Sequence, residues 1–285
     1  MPFPDILLYD NGTGTFDVAL ATSATSSFGG ILKCWNGATW VKSCMAVTMS
    51  AGLYDKPLKV YKAGSWQLVD KNDCITGITQ VQKKSYFSTA DADTHTIVLD
   101  STPVEGNLLV MSISSDWYVN SVSGWTAGPT VAENGVGSMF WKIAGASEPT
   151  SIAVTQVNGS DVPTSGPMCI GVLEYSGIAT SSPVDQENFN DADSSPLGSG
   201  AITTTQADEL IVAAACFYSD TDTSITGWSN SFTQEMRVIA TAGALLSLGV
   251  ATRIVTATGT YSTEATAVNA ATATHVGLIM SFKKA

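Results

Sequence analysis

The stretch Glu105-Gly106-Asn107-Leu108-Leu109-Val110-Met111-Ser112-Ile113-Ser114 decides the fold, because it returns as Glu209-Leu210-Ile211-Val212-Ala213-Ala214-Ala215-Cys216-Phe217. Each is a short apolar run with the length of a core strand. Aligning Glu105 with Glu209 and Trp125 with Trp228 gives offsets of 104 and 103 residues. The same features then follow in the same order. Phe140-Trp141-Lys142-Ile143-Ala144 matches Ala251-Thr252-Arg253-Ile254-Val255, each leading into a short Thr-rich strand. The copies close with Cys169-Ile170-Gly171-Val172-Leu173-Glu174-Tyr175 and His275-Val276-Gly277-Leu278-Ile279-Met280-Ser281-Phe282. We read an internal duplication over residues 95–177 and 201–282.

Alternation in these segments has period two, which implies strands with one buried face. Val276, Leu278, Met280 and Phe282 share a face, as do Met139, Trp141 and Ile143. Four main strands per copy give about eight in all, and half of that set buries two sheet faces poorly. The expectation is an all-β, jelly-roll-like two-sheet sandwich whose copies are related by a pseudo-twofold. Two tandem immunoglobulin-like domains are the alternative. Residues 176–200, with Ser181-Ser182-Pro183 and Asp191-Ala192-Asp193-Ser194-Ser195-Pro196, are expected to cross as a polar surface loop.

Residues 71–94 are polar and turn-rich, so a boundary near 85 separates an N-terminal region, 1–84, from the sandwich, 85–285. Asp10-Asn11-Gly12-Thr13-Gly14 is a turn between Ile6-Leu7-Leu8-Tyr9 and Phe16-Asp17-Val18-Ala19-Leu20. Residues 23–30 read as a flexible link. A second repeat follows: Leu32-Lys33-Cys34-Trp35-Asn36-Gly37-Ala38-Thr39-Trp40 matches Leu58-Lys59-Val60-Tyr61-Lys62-Ala63-Gly64-Ser65-Trp66 at an offset of 26 residues. Asn36-Gly37 supplies the two positive-φ residues of a tight hairpin turn, with Trp35 and Trp40 on its paired strands. Ala63-Gly64 takes that place in the second hairpin.

The opening strands and the twin Lys-x-aromatic…Trp hairpins resemble the N-terminal regions of tailed-bacteriophage virion proteins. In that class such regions precede variable β-rich domains of minor tail, fibre, collar or head-decoration proteins. The C-terminal region is similar to β-sandwich modules of phage appendage proteins, through Ala207-Asp208-Glu209-Leu210, the Gly124-Trp125 and Gly227-Trp228 dipeptides and the closing Ser281-Phe282-Lys283. The resemblance implies a non-enzymatic structural component of a virion, docked by its first 80 or so residues. It also implies partners among other virion proteins and a homo-oligomer, for which a trimer suits a fibre or spike. The alternative is a host-recognition module binding a surface glycan, with Trp117, Tyr118, Trp125 and Trp228 as candidate contacts.

Composition is compatible with this. The chain has 285 residues, 44% hydrophobic, with 13% charged and a net charge of −12. That balance disfavours nucleic acid and anionic lipid as partners. Ile6-Leu7-Leu8-Tyr9 is too short for a secretory leader, and no apolar run approaches the roughly 18 residues of a membrane span. A protein made in a host cytoplasm and incorporated into virions is expected.

No catalytic, cofactor or metal residues are assigned. His95 and His275 lack metal-ligand spacing, and no nucleophile elbow or phosphate loop occurs. The pairs Asp91/Asp93, Asp185/Glu187, Asp191/Asp193 and Asp220/Asp222 are placed in loops, where carboxylates are solvated or take calcium. A glycosidase pair would have to face across a cleft. Cys169 and Cys216 fall in strand patterns as buried thiols, while Cys34, Cys44 and Cys74 leave a disulfide open.

Overall fold

The computed structural model describes residues 7–10, 16–19, 59–62, 65–68, 77–131, 137–191, 195–218, 224–240, 246–268 and 275–285. Every element in them is a strand. The chain divides into two compact units, Met1–Gly77 and Ile78–Ala285.

In the first unit β1 (Leu7–Asp10) pairs antiparallel with β2 (Phe16–Ala19), on either side of the expected turn. β3 (Lys59–Lys62) pairs with β4 (Ser65–Leu68). Lys62 stands opposite Ser65 and Tyr61 opposite Trp66. The Trp35–Trp40 hairpin, the 23–30 link, Cys34, Cys44 and Cys74 lie outside the described residues.

The second unit begins earlier than the sequence suggested. Its first copy runs β5 (Thr79–Ala92), β6 (Thr94–Val98), β7 (Leu108–Ser115), β8 (Thr126–Val131), β9 (Gly137–Ile143), β10 (Ser151–Thr155) and β11 (Gly166–Ser176). The second runs β12 (Val184–Asp191), β13 (Leu197–Thr203), β14 (Glu209–Tyr218), β15 (Ser224–Trp228), β16 (Thr233–Ala240), β17 (Leu246–Val255), β18 (Thr260–Val268) and β19 (His275–Lys283). The boundary near 85 therefore falls inside β5, and the polar link of 176–200 contains β12. Both are edge strands, and that explains the misreading. An edge strand keeps polar, partly exposed side chains and carries charges such as Lys83 and Lys84.

The copies repeat one topology. The large sheets have the orders β5-β11-β7-β9-β8 and β12-β19-β14-β17-β16, strand for strand the same. Smaller sheets, β10-β6 and β13-β18-β15, complete each copy. Register corrects the sequence alignment. Leu108 lies between Ile143 and Tyr175, and Leu210 between Ile254 and Phe282, so these two leucines are equivalent. Asn107, not Glu105, takes the place of Glu209. The preceding Gly106 and Asp208 share a left-handed backbone, with φ of 85° and 60°. Trp125 corresponds to Phe232: each closes a turn by donating its N–H to Val122 O or Ser229 O. Trp228 instead belongs to β15, a strand the second copy adds.

The two large sheets pack face to face around one core. Leu108, Val110 and Leu173 from one meet Leu210, Val212 and Leu248 from the other. Val276, Leu278, Met280 and Phe282 share this face as read from the sequence, and Met139, Trp141 and Ile143 border or join it. The outer face of each large sheet is covered as well. Ile97 and Val154 of the β10-β6 pair close over Met111, Ile113 and Ile170. Ile202, Leu197 and Ile225 close over Ile211, Ala215 and Ile279. The sandwich thus has four layers and ten strands in its two central sheets, more than the eight expected. β7 and β14 are buried on both faces, which is why they read as unbroken apolar runs.

Two flanks hold the large sheets in register. Methionine enters a slot left by glycine on both, with the roles reversed. Met280 of β19 fills the space over Gly128 of β8, and Met236 of β16 the space over Gly171 of β11. A Cβ on Gly128 would stand 2.5 Å from the sulfur of Met280, and one on Gly171 would run into the sulfur of Met236.

Candidate functional site

β7 ends at Ser115, whose hydroxyl donates to Trp117 O at 2.7 Å and turns the chain outward. The 116–121 segment then zips onto a hairpin at 156–164. Tyr118 and Val157 exchange backbone bonds of 3.0 and 2.8 Å, and Asn120 Nδ2 donates to Asp161 Oδ1 at 2.6 Å. A buried polar group supports this end from below. His95 Nε2 donates to Gly166 O at 2.9 Å, leaving Nδ1 to face the Tyr86 hydroxyl at 3.3 Å. Gln156 Nε2 donates to the same carbonyl. Gly166 leaves room for the Trp117 ring, since a Cβ there would lie 2.9 Å from Trp117 Cδ1.

Of the four candidate aromatic contacts, this places Trp117 at the surface, 36% exposed. Tyr118 is half-buried beside Gly159. Trp125 packs on the first outer core with Lys142 Nζ 6.0 Å from its ring, and Trp228 packs on the second with its indole nitrogen buried. The four rings serve two packing roles and one surface.

Of the acidic pairs, Asp93 lies in the exposed bend after β5, while four partners expected in loops lie in strands. Asp185 and Glu187 lie on β12, Asp191 ends β12, and Asp91 is the last residue but one of β5. Asp193, Asp220 and Asp222 lie outside the described residues. Asp185 is drawn instead toward Glu209, a residue the sequence offered as a strand start. Among the described residues no group of three or more His, Cys, Asp or Glu comes together as a metal site. His275 packs against Phe217, ring centroids 4.8 Å apart. Cys169 and Cys216 are buried thiols, and burial pushes the Cys216 thiol far up.

Two further polar groups were invisible in the sequence, because each brings in partners far along the chain, 155 positions apart for Gln80 and Glu235 and 70 for Val104 and Glu174. Glu235 of β16 accepts from Gln80 at 2.8 Å, Thr252 at 2.8 Å and Lys83 at 3.1 Å, tying β16 and β17 to β5. Burial raises its pKa, but these donors outweigh that and hold the carboxyl below its usual range. Tyr175 donates to Thr252 at 3.2 Å, and burial pushes its hydroxyl up. On the outer face, Glu174 accepts from Gln82, Asn107 and the Val104 amide at 2.6, 2.5 and 2.9 Å.

No family model matches the chain, and no solved structure matches it. An acetylcholine receptor subunit alpha-like protein of Manduca sexta is 38% identical over 63 residues, 22% of this chain and 12% of that one. A match over so small a share of both chains carries no family. No helix among the described residues is long and apolar enough to cross a membrane.

Proposed function

We propose that this chain is a structural component of a tailed-phage virion: a tail, collar, fibre or head-decoration protein. It docks by its N-terminal unit and displays the double sandwich as a homo-oligomer. One observation carries the reading. The hairpin-bearing segment on which the resemblance rests forms a unit of its own, ahead of a body whose two copies share a single core. The body closes on four layers, and Glu235 bonds one flank of the two large sheets together, which suits a structural block. Mass spectrometry of purified particles from the phage encoding the chain is the direct test. The chain is expected at stoichiometric level in particles, and its absence from them removes the proposal.

Trp117 favours a second reading, a host-glycan contact, because an exposed indole on a loop that the Asn120–Asp161 bond fastens to its neighbour suits a sugar ring. Glycan-array binding that is lost in Trp117→Ala and kept in Trp125→Ala supports it; a blank array removes it.

A further inference from the structure

The strand that opens each copy carries a β-bulge at the same place. In β5 the bulge lies between Gln80, opposite Tyr175, and Gln82, opposite Glu174. In β12 it lies between Val184, opposite Phe282, and Glu187, opposite Met280. The ladder is interrupted there, so side chains hold the strand. In the first copy that task falls to Glu174, which is saturated with donors. In the second, Ser281 stands where Glu174 would be, and the buried carboxyl has moved to Glu209, in the place of Asn107.

This exchange leaves Glu209 in an unusual position. It is fully buried, and neither carboxyl oxygen has a well-formed hydrogen bond. The Ser281 hydroxyl and the Asp185 carboxyl are the polar side chains that face it. Asp185, in the bulge, has a side chain 3% exposed. Asp185 is itself well held: Thr205 donates to it from its amide at 2.6 Å and from its hydroxyl, and Lys283 Nζ stands 3.8 Å away. Ser281 Oγ accepts the Gln186 amide at 3.2 Å. Lys284 is turned to Asp208, and Arg253 of β17 to the Asn230 carbonyl and the Tyr261 ring. Glu187 is exposed. Among the described residues Lys283 is thus the cation that faces the pair, 3.8 Å from Asp185.

We propose that Asp185 and Glu209 form a one-proton latch, which fastens β12 to β14 and β19 while Glu209 is protonated and loosens β12 when Glu209 ionises. A poorly partnered buried carboxylate beside a second one is the arrangement that a shared proton relieves. Burial, with the charge of Asp185, raises the Glu209 pKa to about 7, while the bonds from Thr205 outweigh burial and lower that of Asp185. The sign follows. Glu209 holds its proton more tightly folded than unfolded, so the folded state is favoured at low pH and loses that advantage as pH rises toward and through about 7. β12 is the edge strand that covers β19, so its release exposes the hydrogen-bonding edge of β19. The first copy, with a neutral Asn107 at the same position, has no such device.

Hydrogen exchange of the intact chain, read by mass spectrometry on peptides covering 184–191 and corrected for the intrinsic pH dependence of exchange, tests the latch. Between pH 6 and 8 the corrected rate should rise about tenfold, as one linked ionisation allows. Peptides of β5 should not change, and Glu209→Gln should abolish the rise. Carboxyl carbon NMR on glutamate-labelled protein supplies a readout in the unmutated chain: one glutamate should titrate near pH 7. A flat exchange profile, or no glutamate titrating above about pH 5.5, overturns the proposal. If Glu209→Gln does not fold, Asp185→Asn should move both midpoints to lower pH, and unchanged midpoints overturn it equally.

Discussion

The two copies share a topology but cover their outer faces differently. In the first, Met111, Ile113 and Ile170 stand up from the large sheet, and a two-stranded layer rests on them. In the second, the equivalent positions hold Ala213, Ala215 and Gly277, and a three-stranded layer comes down onto the sheet itself. The backbone of Gly198 lies so close that a Cβ on Gly277 would collide with its carbonyl oxygen. Two ways of closing one fold follow: large side chains under a narrow cover, or small ones under a wide cover with Phe217 and Trp228 filling its end.

That contrast breaks most sharply at Gly277. Its replacement by alanine sets a side chain against backbone that cannot swing away, and should cost about 4 kcal/mol or prevent cooperative folding. Ile170→Ala, at the same position of the first copy, should cost about 3 kcal/mol through a void instead. Urea unfolding of both variants checks the pair. A Gly277→Ala protein within about 1 kcal/mol of the parent would show the second cover to be loose.

The flanks should differ less. Met280→Ala empties a fully buried slot over Gly128, and about 3 kcal/mol is expected. Met236 is 8% exposed, and its loss over Gly171 should cost about 2 kcal/mol. Gly128→Ala should be harmful in the parent chain, where Met280 fills the slot. Combined with Met280→Ala it should instead recover part of the loss, a coupling that a double-mutant cycle measures.

Next comes Glu174. Glutamine in its place turns an amide donor toward Val104 N–H, Asn107 or Gln82, so about 2 kcal/mol should be lost at neutral pH. Thermal unfolding should show Tm lowered by several degrees. If Glu174→Gln is neutral, the bulge in β5 is held by its ladder rather than by the carboxyl.

How much of this was legible in the sequence follows the same physics. The central strands were, because a strand buried on both faces leaves a continuous apolar run, as Leu108–Ser115 and Glu209–Tyr218 do. The faces of Met139, Trp141 and Ile143 and of Val276 to Phe282 were legible from period two. The edges were not: β5 and β12 are polar enough to read as links. The alignment of Glu105 with Glu209 failed because identical letters outweighed register, and only pairing with Tyr175 and Phe282 shows that Asn107 is the counterpart. The buried carboxyls were hidden for a related reason. Glu174 lies on β11 and Glu209 on β14, which are not counterparts in the two copies, so no repeat in the sequence marks them.

The ion pairs give the smallest contrast. In the first copy Lys142 meets Glu148 at 2.7 Å, with side chains 19% and 6% exposed, and Glu148 also accepts the Gly145 amide. Between the copies Lys83 meets Glu235 at 3.1 Å, but the lysine is 46% exposed. Water screens the second pair and solvates its lysine when the bond opens, whereas the carboxylate of Glu148 has little access to water. Lys142→Met should therefore cost about 1 kcal/mol, and Lys83→Met under about 0.5 kcal/mol, since Gln80 and Thr252 still serve Glu235. Raising the salt concentration should narrow the effect of Lys83 and leave that of Lys142. Equal effects at low salt, equally screened, would mean that the Glu148 site is as wet as the flank.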